Sequence, residues 1–157
     1  MKRIIYRVII VGVFLGAMAF LAGSPASAQE MTCPTHTPVR VDIKPGSYPN
    51  RINLSSNGVV PVAVLTTPDF DASRFTPEMV HLTDANNAMT QGCTGALAVR
   101  WALDDVNHDG HPDLVFFFNT QDLDLTASST AASLMAHGSY DSTILHIMGS
   151  DSVKVGP

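Results

Sequence analysis

Residues 96–118 constrain the fold more than any other part of this chain, because three kinds of segment follow one another there without a break. Leu97, Val99, Trp101 and Leu103 alternate with Ala96, Ala98, Arg100 and Ala102. That period of two predicts a half-buried strand with Trp101 in its apolar, core-facing register. The run Asp105-Val106-Asn107-His108-Asp109-Gly110-His111-Pro112-Asp113 follows, and then the apolar stretch Leu114 to Phe118. An uninterrupted apolar run of that length predicts a strand covered on both faces. Two strands joined by so short a polar segment make a hairpin, so the chain must build a sheet.

The segment between them carries four oxygen-bearing side chains at alternate positions around a glycine. Calcium takes six to eight oxygen ligands at flexible geometry, and an Asp-x-Asn-x-Asp-Gly run offers them while the glycine permits the sharp turn. The candidate ligands are the side chains of Asp105, Asn107, Asp109 and Asp113 and the backbone carbonyl of His111, with water completing the shell. A helix-flanked calcium hand would need a bidentate Glu at the twelfth position, where Phe116 stands, and β-formers follow in place of a helix. The loop is of the strand-flanked kind and resembles those of the integrin-propeller and thrombospondin type 3 families. Asp, Asn and Gly also make ordinary metal-free turns. Three carboxylates within nine residues repel one another unless a cation neutralises them, and this favours the metal.

The remaining chain repeats the β period. Val39, Val41 and Ile43 alternate with Arg40, Asp42 and Lys44, and Pro45-Gly46-Ser47 turns the chain. Val59 to Leu65 reads as a strand whose Pro61 marks an edge or a bulge. Thr66 to Pro77 is a loop anchored by Phe70 and Phe75, Met79 to Leu82 a short strand, and Asp84 to Gly95 a surface loop. Thr126 to Ala136 fits either a strand or a helical turn. Ser142 to Met148 and Ser152 to Val155 read as strands joined by a turn at Gly149-Ser150-Asp151. Many short strands without a long helix predict an all-β fold, specifically an antiparallel β-sandwich with the calcium loop at a hairpin tip.

The N-terminal region carries an address. Lys2, Arg3 and Arg7 precede the apolar stretch Val8 to Ala22, and Ala26-Ser27-Ala28 has the small residues of a cleavage site. Residues 1–28 are expected to be a cleaved signal peptide, 29–38 an N-terminal tail and 39–157 the calcium-binding domain, with a secreted, extracellular or periplasmic location. Cleavage removes three of the nine Lys and Arg and none of the fourteen Asp and Glu, moving the formal charge from −5 to −8. So acidic a protein is not expected to hold nucleic acid electrostatically, nor to stay on a membrane once the signal is gone. In an oxidising compartment Cys33 and Cys93 are expected to pair. Their disulfide would close a long loop and contribute about 3 to 4 kcal/mol on a chain-entropy view.

Other chemistry is harder to find. The histidines His36, His81, His108, His111, His137 and His146 have no local metal-binding spacing and could converge only through the fold. Asp104 with Asp105, and Asp122 with Asp124, are the paired carboxylates that glycosidase chemistry would call on, but neighbours on a strand point to opposite faces. No nucleophile elbow, zinc-protease motif or phosphate loop is present.

Several blocks in order carry a family likeness. Val41-Asp42-Ile43-Lys44-Pro45-Gly46-Ser47, Pro49-Asn50, Ile52-Asn53-Leu54, Gly58 to Leu65, Asp69-Phe70-Asp71, the acidic loop with Thr120-Gln121-Asp122 after it, and the ending Gly149 to Val155 resemble a recurring module of secreted bacterial proteins. The resemblance covers nearly everything after Val39. It implies a β-sandwich, often part of larger exported or cell-surface proteins, and no particular activity. This chain departs from the pattern at Asn107, where Asp is more usual, and at His108 and His111, where Gly or Asp often stand. The expectation is a non-enzymatic secreted module in which structural Ca2+ stabilises a hairpin, serving adhesion or recognition of an extracellular protein or glycan. The alternatives are an extracellular hydrolase with a composite His/Asp site and a carbohydrate-binding module.

Overall fold

The alternating segments after Val39 become strands, and among the described residues no helix longer than a single 3-10 turn interrupts them. The computed structural model describes residues 35–88 and 94–156. The signal peptide of residues 1–28, most of the tail and both members of the expected Cys33–Cys93 disulfide lie outside the described residues.

Among the described residues ten strands follow in order: β1 (Thr37–Pro38), β2 (Val41–Ile43), β3 (Arg51–Asn53), β4 (Val59–Val64), β5 (Phe75–Asp84), β6 (Ala96–Asp104), β7 (Asp113–Asn119), β8 (Ala131–Tyr140), β9 (Thr143–Ser152) and β10 (Lys154–Gly156). Short 3-10 turns at Ala72–Arg74 and Thr120–Asp122 are the only helical pieces among the described residues. The protein is all-β, as the sequence predicts. Eight strands form one curled sheet in the order β1-β9-β8-β5-β6-β7-β4-β2, and β10 pairs with β3 beside it. The pairings within the sheet are antiparallel except that β1 runs parallel to β9, and β3 and β10 are also parallel. The arrangement is therefore a curled mixed sheet, where the sequence predicted two antiparallel layers.

The two edges of the large sheet are joined by one extended stretch. Thr37 and Pro38 pair with β9, the Val39 amide donates to the Met148 carbonyl at 2.9 Å, and residues 41–43 pair with β4. Thr37 and Pro38, assigned by sequence to the tail, thus already belong to the fold. Gly149 lets the stretch pass: a Cβ there would lie 2.4 Å from the Val39 carbonyl oxygen. That close approach also explains why Gly149-Ser150-Asp151, expected as a turn, lies inside β9. The turn actually falls before it, at Asp141 and Ser142, whose φ values of 49° and 67° give the doubly left-handed bend of a tight hairpin.

The inside of the curl holds Ile43, Ile52, Val60, Val62, Val64, Leu82, Leu114, Phe116, Phe118, Leu134 and Ile147. Phe70 and Phe75 are buried, as anchors of the 66–77 loop should be, and β5 extends well beyond the short strand expected at Met79 to Leu82. Leu114 to Phe118 is covered on both faces as predicted: Leu114, Phe116 and Phe118 join the main core, while Val115 packs with Ala63 and Leu65 outside it.

The core-facing register of β6 is the main error of the sequence reading. A bulge between Ala98 and Arg100 changes the face presented, so Ala96 and Ala98 point inward before it. Beyond the bulge Trp101 and Leu103 stand opposite Phe116 and Leu114, on the core side of the sheet. They are nevertheless 49% exposed each. The reason is that β5 pairs with β6 only at His81–Leu97 and Leu82–Ala96 and then diverges. A groove of about 420 Å³ opens in the split, lined by Pro77, Glu78, Val80, Val99, Arg100 and Trp101 among others.

Candidate metal centre

The loop of residues 105–112 leaves β6 at Asp104 and enters β7 at Asp113, so it lies where the sequence put it, at the tip of a hairpin. Its path is set by two residues in the left-handed region, His108 at φ 60° and Gly110 at φ 87°. Nothing lies within 4 Å of a Cβ built on Gly110, so conformation alone asks for glycine there.

Side-chain oxygens fold inward over this path. Asp105 Oδ1 accepts from the Asp109 amide at 3.1 Å and Asp105 Oδ2 from the Gly110 amide at 2.9 Å. Asn107 Oδ1 accepts from the same Asp109 amide at 3.0 Å, so one oxygen each of Asp105 and Asn107 converges on a single point. Asp109 in turn accepts from the His111 amide at 2.9 Å and from Asn107 Nδ2 at 2.9 Å. These two hydrogen bonds hold its carboxyl below the usual carboxylate range, first through the His111 amide and then through Asn107. Both bonds favour the ionised form of Asp109.

Asp113 has a different setting. It is fully buried, and its two oxygens accept from the Thr66 amide at 2.8 Å and the Val106 amide at 3.2 Å. Thr66 also donates its hydroxyl to the Pro112 carbonyl at 2.7 Å and accepts from the Ala72 amide at 3.0 Å. Asp113 therefore fastens the base of the loop to the segment after β4. Each carboxylate oxygen keeps a second lone pair, so ligation by Asp113 is compatible with this role. His111 is exposed, and its side chain is not needed for the carbonyl role assigned to it.

Among the described residues no three His, Cys, Asp or Glu side chains are gathered as a metal-binding group. The loop brings together Asp105, Asp109 and the amide of Asn107, with Asp113 held at its base. This is an all-oxygen donor set, which suits a hard cation such as calcium and does not suit a soft one.

One wall of a concavity of about 980 Å³ is formed by this loop through Asn107 and Asp109. Asp42, Thr66, Thr67 and Asp69 contribute to the other walls. Burial raises the Asp42 carboxyl above its ordinary range, with help from Asp151 and Asp113 nearby. Thr66, Asp42 and Asp69 were not found from the sequence, because they lie 36 or more positions from the loop and share no local pattern with it. Of the carboxylate pairs considered, Asp124 bonds to the Thr83 hydroxyl and the Asp84 amide, and Asp122 to Asn119.

No family model matches the chain, and no curated protein is significantly similar to it.

Proposed function

We propose that this protein is a secreted, calcium-stabilised recognition module whose metal is structural and whose work is binding, not catalysis. The observation that carries the reading is the loop itself. Asp105, Asn107 and Asp109 turn their oxygens inward over a glycine-bearing bend, and the loop base is tied by Asp113 to the wall of a large cleft. Calcium in the loop would neutralise adjacent carboxylates and hold that wall in place. Extracellular calcium modules bind with dissociation constants of about 0.1 to 1 mM. At tenfold excess of calcium over that constant, binding adds about 1.4 kcal/mol of stability.

Thermal unfolding in calcium and in chelator tests this directly. A chelator should lower the melting temperature of the natural chain, and Asp109→Ala should remove the difference. Identical unfolding of the natural chain in both conditions overturns the calcium reading.

A glycan ligand is favoured by one further observation. Trp101, half exposed beside the split between β5 and β6, offers an aromatic surface of the kind on which sugars stack. Screening the protein and its Trp101→Ala variant against a glycan array checks this; retention of the same glycans by the variant speaks against Trp101 as the platform.

A further inference from the structure

The second half of β6 has a free edge. The strand pairs with β5 only at Ala96 and Leu97, and from Ala98 to Asp104 its only strand neighbour among the described residues is β7. After the bulge, Arg100 to Asp104 pair with Phe117 to Asp113 residue by residue, so the free edge includes five residues of regular strand. An edge of that kind offers backbone donors and acceptors to a further strand.

Its side chains are sorted by face. Trp101 and Leu103 stand on the core side, opposite Phe116 and Leu114, and both are half exposed. Arg100, Ala102 and Asp104 alternate with them and lie on the outer side. Arg100 rests on the Phe117 ring, and among the described residues neither it nor Asp104, both exposed, makes an ion pair. Charges on an edge ordinarily keep other strands away. Here the signs are opposite, and the two residues stand equally far on either side of Ala102.

That symmetry has a geometric consequence. When two copies of one strand pair antiparallel about a twofold axis, residues equally far from the axis on either side meet, and directly opposite side chains share a face. With the axis at Ala102, Arg100 of each copy meets Asp104 of the other, twice, on the outer face. On the core side Trp101 of each copy meets the other's Leu103, also twice. The small Ala102 faces itself at the axis. Moving the axis to Trp101 or to Leu103 breaks both ion pairs and sets Arg100 or Asp104 against Ala102. The groove of about 420 Å³ beside Trp101 leaves the incoming Leu103 space on the core side.

We propose that two copies of this protein associate through β6, edge to edge and antiparallel about a twofold axis at Ala102, continuing one sheet across the pair. The ion pairs between Arg100 and Asp104 set the register, and Trp101 with Leu103 supplies the burial. A five-residue edge is smaller than the standard interface of about 800 Å² per partner, so the dimer belongs to the weak, concentration-dependent kind. The pairing uses none of the loop oxygens and does not rest on the calcium reading. It covers Trp101, so the dimer and a sugar stacked on Trp101 exclude one another.

Sedimentation velocity of the full chain, from micromolar to near-millimolar concentration, tests the proposal. Trp101 is the chain's single tryptophan, so its fluorescence gives a second reading. The expected result is a monomer–dimer equilibrium, with emission moving to the blue as the dimer forms. Arg100→Asp and Asp104→Arg should each weaken self-association at least tenfold, since each sets like charges opposite one another at two places. An equimolar mixture of the two variants should recover the dimer, because the carboxylates of one copy then face the guanidinium groups of the other. Both positions are exposed, so both variants should unfold as the natural chain does. Should Asp104→Arg, beside the acidic loop, unfold differently, Arg100→Asp decides alone and should need at least tenfold more protein for the same shift in emission. A chain that stays monomeric throughout overturns the proposal: blue emission would then assign the edge to its own residues 1–34, and water-like emission would leave it to a foreign strand or a glycan. Dimerisation undiminished by either charge reversal, or not recovered in the mixture, places the contact elsewhere and overturns it as well.

Discussion

Two aspartates of one acidic loop have different duties. Asp109 is exposed and bonded only to its own loop, whereas Asp113 is buried and satisfies amides from two separate segments. Removing a buried acceptor leaves its donors unpaired, at about 1–3 kcal/mol each. Asp113→Ala should therefore lower stability by about 2 to 5 kcal/mol in urea unfolding whether or not calcium is present. Asp109→Ala should cost little in chelator and show its effect only in calcium. The sequence announced both as ligands because spacing carries donor type and nothing about burial. The partner that distinguishes them, Thr66, lies 47 positions away from Asp113. A second buried carboxylate has a pH signature. The Ser129 hydroxyl donates to Asp84, and this bond first, then those from Asn86, hold the Asp84 carboxyl below its ordinary range. A lowered folded-state value means the stabilisation is present above the unfolded carboxylate range and is lost as pH falls through the folded value. Ser129→Ala should cost about 2 kcal/mol at pH 7 and visibly less at pH 3, as measured by denaturant unfolding at the two pH values.

At the scale of elements, β6 shows how far alternation can be trusted. The strand was legible, as were β7 and the hairpin joining them, since period and loop chemistry are local properties. The face was not legible: the bulge at Ala98 and Arg100 inverts it, and the exposure of Trp101 depends on where β5 turns aside, which no window of β6 contains. Burial predicts the consequence. Phe116, fully buried opposite Trp101, should cost about 3–5 kcal/mol on replacement by alanine. Trp101→Ala should cost no more than about half of that, because half of its surface never leaves water. Comparing the two variants by thermal unfolding checks the assignment, and equal losses would place Trp101 in the core after all. Arg100 contributes on the other face, with its guanidinium 3.5 Å above the Phe117 ring, and this covers part of the outer surface of β7.

For the molecule as a whole, the all-β class was legible because nearly every segment shows the same short period. The order of strands was not, because it depends on which distant strands become neighbours. The stretch from Thr37 to Ile43 is the clearest case: its alternation predicted a strand, yet not that it would serve two edges in succession. An open edge invites pairing with other chains, and this stretch covers part of each, pairing with Ile147 and Met148 of β9 and with Val62 to Val64 of β4. Gly149→Ala would press a methyl group against Val39 and Val41 at the crossing. Overpacking of that kind should lower stability by about 1–3 kcal/mol and raise the tendency to self-associate, measurable together by unfolding and by light scattering.

The same stretch also sets a clock. Val39 reaches its partner Met148 across more than a hundred residues of chain, so the sheet cannot be closed until its last strand exists. In a chain that emerges N-terminus first, the earliest strand is the last to find its place, and pairings between segments so far apart are slow to form. Until then β9 and β4 each carry an open edge, and the waiting polypeptide is at its most vulnerable to proteases and to other copies of itself.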